Sequence, residues 1–225
     1  MMNPFMKKKL KVGTRTSNLA LKQVEEIKKI FSGIEFEIVP ILTTGDKDKT
    51  TPLDRIEEPD FFTREIDEAL LSERIDVAVH SAKDLPEITA SGLEIVYESE
   101  SLSPFDALVS KGNLRLSDLA KFSRIGVSSL RRKEQIRALR DDLKIVNIRG
   151  TIEERLSLLD SGKIDALIVA HAALIRLGLE NRLSEILPLA TFPTHPKQGK
   201  LALVVKASNR DIIDLFKMTI HELSR

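Results

Sequence analysis

The chain has 225 residues, of which 42% are hydrophobic and 31% charged, a composition typical of a globular protein with one large domain or two of about 100 residues. A net charge of +1, a single Tyr and no Trp give no basis for nucleic acid as the main partner. The absence of cysteine excludes disulfides, thiolate catalysis and Cys-based metal sites.

The N-terminal sequence MMNPFMKKKLKV has basic residues but no apolar core behind them, so we expect no signal peptide there. No apolar stretch approaches membrane-spanning length. We therefore expect a cytoplasmic protein with no membrane partner.

The first half of the chain predicts alternating strands and helices. A short strand at residues 11–13 leads into an amphipathic helix, with Thr16 or Ser17 as a plausible N-cap. Residues 36–42 alternate like a strand, and Pro40 suggests an edge position or a bulge. A second helix is expected over residues 61–71.

A buried strand is predicted at residues 75–79, and polar residues follow it directly. They are His80, Ser81, Lys83 and Asp84. Open α/β sheets bind ligands at the carboxyl ends of their strands, so this stretch is a candidate site. The alternative is a polar exit from the strand with a surface Lys–Asp pair.

The same order of elements returns after residue 120 and indicates an internal repeat. The matched segments are 11–24 with 124–139, 36–44 with 143–151, and 68–80 with 155–171. They favour two similar βαβαβ units. Convergence on a common strand–helix alternation is the alternative.

Two polar, Pro-containing segments, residues 98–106 and 192–200, are candidate crossovers between the units. After the second, a strand over 201–205 and a helix over 210–224 could return to the first unit. The fold class predicted is therefore α/β, with two hinged lobes and a ligand cleft between them. Lobe 1 would comprise residues 1–100 and 200–225, and lobe 2 residues 101–199.

Each lobe places polar residues at equivalent strand ends. The first offers Arg15, Ser17, Asp46, Ser81, Lys83 and Asp84, and the second Ser128, Ser129, Arg131, Arg132, Arg149, Arg155 and Arg176. Arginines suit carboxylates because the guanidinium binds them bidentately. Such a cleft with one well-placed acid, Asp84, suits a polyanionic ligand that develops positive charge as it reacts. Taken alone, the Arg131–Arg132 pair could also be a solvated helix face.

Other chemistries lack support. The four histidines at positions 80, 171, 195 and 221 form no i, i+4 pair, so we expect no metal site. No dinucleotide fingerprint, P-loop or nucleophile elbow occurs, and no carboxylate–His–nucleophile set suggests covalent catalysis.

Five motifs in order, covering nearly the whole chain, resemble the porphobilinogen deaminase (hydroxymethylbilane synthase) family. They are GTRTSNLALKQ (13–23), VAVHSAKDLP (77–86), GVSSLRR (126–132), IRGTIEERLSLLDSGKIDA (148–166) and AALIRLGLE (172–180). The resemblance implies two lobes like type II periplasmic binding proteins, plus a small third domain. It also implies head-to-tail condensation of four porphobilinogens, with loss of ammonia, to a linear tetrapyrrole.

The resemblance assigns roles residue by residue. Asp84 would be the catalytic carboxylate, facing the pyrrole N–H and stabilising the cationic azafulvene. The dipyrromethane cofactor would be bound by Arg15, Ser17, Lys83, Ser129, Arg131, Arg132, Arg149, Arg155 and Arg176. The substrate would be bound by Gln23, Asp46, Phe62, Ser81 and Gln198.

The sequence also departs from the family pattern. The family attaches dipyrromethane to a cysteine of its third domain, whereas this sequence contains no cysteine and stops about where that domain would begin. Val127 replaces a usual Thr, Ser101 and Phe105 replace usual arginines, Thr151 and Glu154 replace Asn and Thr, and EPD (58–60) replaces GKG. Each lost cation should weaken carboxylate binding.

Two functions therefore stay open at this point, beside a third interpretation, a relic that retains only the fold. The first is a shortened tetrapyrrole-forming enzyme that holds its primer non-covalently or with a protein partner in place of the third domain. The second is a two-lobed protein that binds a pyrrole or another polycarboxylate without turnover. Asp84 favours the enzyme, because a simple anion receptor gains nothing from a carboxylate among its arginines; the missing thiol favours the receptor.

Overall fold

The computed structural model describes residues 9–51, 56, 58, 60–86 and 89–223. Its strands are β1 (Leu10–Arg15), β2 (Phe36–Ile41), β3 (Val77–Ser81), β4 (Leu93–Glu98), β5 (Asp106–Ser110), β6 (Arg124–Val127), β7 (Lys144–Asn147), β8 (Ala166–Ala170), β9 (Glu185–Leu187) and β10 (Leu201–Lys206). Its α-helices are α1 (Asn18–Ile30), α2 (Thr44–Lys47), α3 (Arg64–Leu71), α4 (Leu130–Leu139), α5 (Ile152–Asp160), α6 (His171–Leu177) and α7 (Arg210–Leu223).

The chain divides into two compact units. Unit 1 comprises residues 1–47, 59–100 and 200–225, and unit 2 comprises residues 48–58 and 101–199. The segment 48–58, which lies within the first predicted lobe, groups with unit 2, where the Asp48 carbonyl accepts a hydrogen bond from Arg149 at 2.6 Å. The predicted cleft between the lobes stays a prediction.

Unit 1 is built on a five-stranded sheet of order β2-β1-β3-β10-β4. The strands β2, β1 and β3 are parallel, and β10 runs antiparallel to both β3 and β4. Pro40 lies on the edge strand β2, as its missing N–H predicts. Because the parallel strands end at one edge of the sheet, the residues that follow them come together there.

Two hydrophobic clusters cover the faces of this sheet. On one face, α1 and α7 pack through Val24, Ile27, Phe31 and Phe216. On the other face, α3 packs through residues such as Ile66. Helix α1 begins where predicted, because the Ser17 hydroxyl accepts the Ala20 N–H at 3.3 Å as the N-cap.

Unit 2 has a five-stranded sheet of order β7-β6-β8-β5-β9. The strands β7, β6 and β8 are parallel, and β5 runs antiparallel to β8 and β9. Its core contains Leu108, Ile125, Ile136, Ile168 and Phe192. Because β5 is antiparallel, its first residue, Asp106, lies at the edge where β6 and β8 end.

The two sheets confirm the predicted repeat, down to single residues. In unit 1 the Asp76 N–H donates to the Lys11 carbonyl at 2.8 Å, and the Asp76 carboxylate accepts the Lys11 N–H at 2.8 Å. In unit 2 Asp165 makes the same two bonds with Arg124, again at 2.8 Å. Equivalent acids therefore fix equivalent strand starts.

Two predicted elements shift along the chain. The helix expected over 61–71 begins at Arg64, because residues before it form a turn in which Phe61 and Phe62 pack edge to face at 5.1 Å. The strand expected over 75–79 runs from Val77 to Ser81, because pairing with β10 continues through the polar residues. No described helix is both long and apolar enough to cross a membrane.

Candidate active site

A small cavity of about 60 Å³ lies at the carboxyl edge of the unit 1 sheet. Its walls come from the end of β1, the start of α1, the turn before α3 and the end of β3. It brings together six predicted site residues: Arg15, Ser17, Gln23, Phe62, Ser81 and Asp84. The shared edge of parallel strands explains why residues so distant in sequence meet here.

Arg15 is the cation of this cavity, and its guanidinium is held in place on two sides. Its Nε donates to Asp46 Oδ1 at 3.1 Å, and its Nη2 donates to the same oxygen. The guanidinium also lies over the Phe62 ring, 4.4 Å from the ring centroid. Asp46 therefore orients Arg15 rather than lining the cavity itself.

Asp46 stays ionised in this position. Burial raises the pKa of its carboxyl, but Arg15 and the Thr43 hydroxyl and N–H outweigh burial and hold that pKa below its ordinary value. Arg15 has five N–H groups, and the two bonds to Asp46 leave others for a ligand.

Gln23 and Ser81 form a second fixed pair on the cavity wall. The Gln23 amide donates to Ser81 Oγ at 2.8 Å. Gln23 is buried and Ser81 is partly exposed. This bond joins α1 to the end of β3 and fixes the position of the Ser81 hydroxyl in the cavity wall.

Asp84 differs from the other acids of unit 1. It ends the 3-10 turn Ala82–Asp84 directly after β3 and is half-buried against the cavity. Within the described ranges, its carboxylate has no hydrogen-bond or ion-pair partner, whereas Asp46 has Arg15 and Thr43. Asp84 is therefore the acid of this cavity that is available to a ligand.

His80, which belongs to the predicted candidate stretch but had no role assigned there, also lines the cavity. It is 5% exposed, and its Nε2 has no hydrogen-bond partner among the described residues. Burial, reinforced by the nearby Arg15 charge, lowers the pKa of His80 to about 4. The imidazole is therefore neutral at physiological pH and offers a buried polar atom to a ligand or to water.

In unit 2, three predicted residues gather around an acid that the sequence analysis missed. Asp106 Oδ2 accepts Arg132 Nε at 3.0 Å and Arg131 Nη2 at 3.1 Å. Its Oδ1 accepts Arg132 Nη2 at 2.5 Å and the Gln198 amide at 2.8 Å. Burial raises the pKa of the Asp106 carboxyl, but Arg132 foremost, with Arg131 and Gln198, holds it below its ordinary value.

This cluster decides between two interpretations of the Arg131–Arg132 pair. The solvated-face interpretation is wrong for Arg132, whose side chain is only 8% exposed. The repulsion expected between two cations in the first turn of α4 is relieved by Asp106, an internal anion. Ser129 caps the same helix by accepting the Arg132 N–H at 3.4 Å.

A second cavity, of about 90 Å³, lies beside this helix in unit 2. It is lined by three cationic residues, Lys49, Lys133 and Arg149, together with Ser128. The Ser128 hydroxyl is buried and has no hydrogen-bond partner in the described part of the chain. Three cations beside an unpartnered buried hydroxyl are suited to bind an oxyanion.

The remaining predicted residues contact the backbone or lie apart from both cavities. Arg155 Nε donates to the Gly150 carbonyl at 2.9 Å, and Arg176 Nη2 donates to the Gly199 carbonyl at 2.8 Å. Lys83 lies in the turn that carries Asp84 but does not line the cavity. The EPD departure at 58–60 includes Pro59, which lies outside the described residues.

Solved structures of low sequence identity define the fold class. A nutrient binding protein from Burkholderia cenocepacia bound to methionine has a TM-score of 0.55 at 12% identity, covering 96% of this chain and 92% of its own. The sulfate-bound regulatory domain of an OxyR2 mutant from Vibrio vulnificus has a TM-score of 0.52 at 17% identity, covering 99% of both chains. The protein therefore has the fold of the type II periplasmic binding proteins.

Sequence comparison then gives the family. The family model "Porphobilinogen deaminase, dipyromethane cofactor binding domain" matches residues 10–214. Porphobilinogen deaminase of Caldicellulosiruptor saccharolyticus is 44% identical over 87% of this chain and 69% of its own length. That of Syntrophobacter fumaroxidans is 39% identical over 92% of this chain and 68% of its own length. The chain belongs to the porphobilinogen deaminase family, whose members are transferases of tetrapyrrole biosynthesis.

Proposed function

We propose that this chain condenses four porphobilinogens head to tail into hydroxymethylbilane, releasing one ammonia at each addition and consuming one water that supplies the terminal hydroxyl group. One observation carries the proposal: the carboxylate of Asp84, which has no partner among the described residues, lines the same cavity as the guanidinium of Arg15. The cavity thus offers an acid for a developing cation beside a cation for the acidic side chains of the substrate.

Asp84 would act where positive charge develops. When the aminomethyl C–N bond of porphobilinogen breaks, the amine leaves as ammonia and the pyrrole nitrogen shares the positive charge of the azafulvene. A fixed carboxylate beside that N–H stabilises this charge more than it stabilises the neutral substrate. The free α-carbon of the pyrrole already bound then forms the new C–C bond with the azafulvene methylene and loses its proton. We propose that Asp84 accepts that proton, which balances the one that the leaving amine carries away.

Arg15 would hold an acetate or propionate group of the substrate. Asp46 and Phe62 fix the guanidinium before the ligand arrives, so little conformational entropy is lost on binding. The Gln23–Ser81 pair presents a hydroxyl on the same wall. These contacts orient the substrate, and Asp84 stabilises the charge.

The residues of unit 2 fit the dipyrromethane group that the family domain implies. The buried, unpartnered Ser128 hydroxyl and Arg149 line one oxyanion cavity in the described part of unit 2. We propose that these residues, with Arg131, bind its carboxylates. When bound, dipyrromethane supplies the pyrrole from which the chain grows, as porphobilinogen units are added to it. Because these 225 residues include no cysteine, we propose that they hold it non-covalently.

The test is the consumption of porphobilinogen by the purified protein, with and without added preformed tetrapyrrole. We expect Asp84→Asn to lower the rate by about 100-fold or more. Asp142→Asn is the matched control, because Asp142 pairs with Arg140 and lines neither cavity. Circular dichroism confirms that each variant is folded. Equal rates for the wild type and Asp84→Asn would contradict the proposed role of Asp84.

A second candidate function is binding of a pyrrole or another polycarboxylate without turnover. The three cationic residues and the buried Ser128 hydroxyl of the unit 2 cavity support it, because they suit an oxyanion whether or not a reaction follows. Calorimetric titration with porphobilinogen separates the two functions. Tight binding with no loss of pyrrole, under any of the conditions above, would favour the receptor over the enzyme.

A further inference from the structure

Asp106 is the most completely enclosed acid in the described part of the chain. It is 0% exposed, so it cannot contact a ligand. A carboxylate offers about four acceptor positions, and four donors occupy them: two from Arg132, one from Arg131 and one from Gln198. Asp106 is therefore saturated by its own protein.

The charges of this cluster do not cancel. One carboxylate faces two guanidinium groups, and the third partner, Gln198, is neutral. The side chain of Arg132 is 8% exposed and that of Arg131 is 32% exposed. The excess positive charge therefore reaches the surface through Arg131.

Arg131 is held on further sides by neutral groups. Its Nη1 donates to the carbonyl of Pro193 and lies 3.4 Å from the Gln135 amide oxygen. Among the described residues, Asp106 is the one acid that contacts it. A guanidinium that is fixed in direction and only partly neutralised is preorganised for a carboxylate.

We propose that Asp106 is a positioning residue that fixes Arg131 to bind a carboxylate of the pyrrole ligand, while Arg132 is the buried counter-ion of Asp106. This rests on the proposed function and deepens it. The two neighbouring arginines, which the family resemblance treats alike, then have different tasks. Arg131 determines ligand affinity, and Arg132 determines mainly the stability of the cluster.

The experiment combines calorimetric titration with porphobilinogen and with a preformed linear tetrapyrrole, whose linked pyrroles carry the same carboxylates as dipyrromethane, with steady-state kinetics and urea unfolding of the variants below. Asp106→Asn and Arg131→Lys should each weaken binding and raise KM by about tenfold, with a change in kcat of less than about threefold. Arg132→Lys should lower the urea midpoint more than Arg131→Lys does and should raise KM less. Asp142→Asn, which removes an acid from another arginine pair of unit 2, is the control.

Asp106→Glu keeps the charge and provides a folded variant if Asp106→Asn does not fold. We expect it to lose less stability than Asp106→Asn and still raise KM, because its longer side chain displaces Arg131. Equal affinities for the wild type and the Asp106 variants would overturn the proposal, and so would equal losses of affinity for Arg131→Lys and Arg132→Lys. Binding without turnover would overturn the enzymatic function and leave the comparison of affinities valid.

Discussion

Unit 1 and unit 2 each fix an arginine against an aspartate at the carboxyl edge of the sheet. In unit 1 Arg15 pairs with Asp46, whose side chain is 11% exposed, and a second acid, Asp84, is left without a described partner. In unit 2 Arg132 pairs with Asp106, whose side chain is 0% exposed, and a second arginine, Arg131, remains partly exposed. The same topology thus presents an unpaired acid in one unit and an excess cation in the other.

This difference shows that partners and burial, not the number of charges, decide what an ionisable side chain can do. Asp46 and Asp106 are occupied by their own protein and orient arginines. The carboxylate oxygens of Asp84 are not occupied by any described residue, so they can contact a substrate. A list of charged residues at strand ends does not separate these tasks, because each is set by the nearest opposite charge.

The largest difference in stability between the two units is expected when their paired arginines, Arg132 and Arg15, are removed one at a time. Arg132→Met leaves Asp106 buried with two of its four hydrogen-bond donors, one from Arg131 and one from Gln198, so we expect a loss of about 3–5 kcal/mol in the free energy of unfolding. Arg15→Met should cost less, about 1–2 kcal/mol, because Asp46 keeps Thr43 and reaches solvent. Urea unfolding followed by circular dichroism measures both, since the chain lacks Trp. Equal losses would contradict the difference in burial.

The two cavities should also differ in how they make stability depend on pH. His80 lies beside Arg15 in unit 1, whereas no His lines the unit 2 cavity in the described part of the chain. Burial lowers the pKa of His80 from 6.5 to about 4. Between these values the unfolded chain binds a proton that the folded chain does not. Stability therefore falls as the pH is lowered through this window, by about 1.4 kcal/mol per pH unit.

The variant His80→Gln should remove this part of the pH dependence. Between pH 7 and pH 4.5 we expect the wild type to lose about 2–3 kcal/mol more than the variant in urea unfolding. His221→Gln is the control, because His221 is exposed on α7. Parallel pH profiles for the wild type and His80→Gln would show that the pKa of His80 is the same in the folded and the unfolded chain, and would contradict the expected shift.

Much of the unit 1 cavity could be predicted from the sequence. The carboxyl ends of parallel strands share one edge, so Arg15 and Ser81 had to lie near one another once β1 and β3 were recognised. Asp84 follows from its place directly after β3. The repeat likewise predicted that the unit 2 arginines would follow strands equivalent to those of unit 1.

Asp106 could not be predicted in the same way. It lies in a segment expected to be a crossover, and it reaches the site because β5 runs antiparallel and therefore starts at the edge where its neighbours end. An acid at the first position of a short apolar run, the DALVS of residues 106–110, was the available signal.

Two equivalent glycines allow a smaller test of the repeat. A Cβ on Gly13 would overlap Ile75 Cδ1, and one on Gly126 would lie 2.8 Å from Ile148 Cδ1. We expect Gly13→Ala to cost about 1–2 kcal/mol and Gly126→Ala less than about 1 kcal/mol. Because Ile75→Val removes the clashing methyl, the double variant with Gly13→Ala should lose less than the sum of the single losses. Additive losses would show that the clash is relieved elsewhere.

Effects of similar, small size are expected at the two N-cap serines, where the units should behave alike. Ser17 caps α1 and Ser129 caps α4, each through its hydroxyl, at 3.3 and 3.4 Å. Each change to Ala should cost about 1 kcal/mol in the free energy of unfolding, and each change to Asp should restore most of it. If Ser129 also contacts the ligand, Ser129→Asp will restore stability without restoring affinity for porphobilinogen, since a second acid beside Arg131 competes for its charge. A variant that recovers both would show that Ser129 acts through the helix alone.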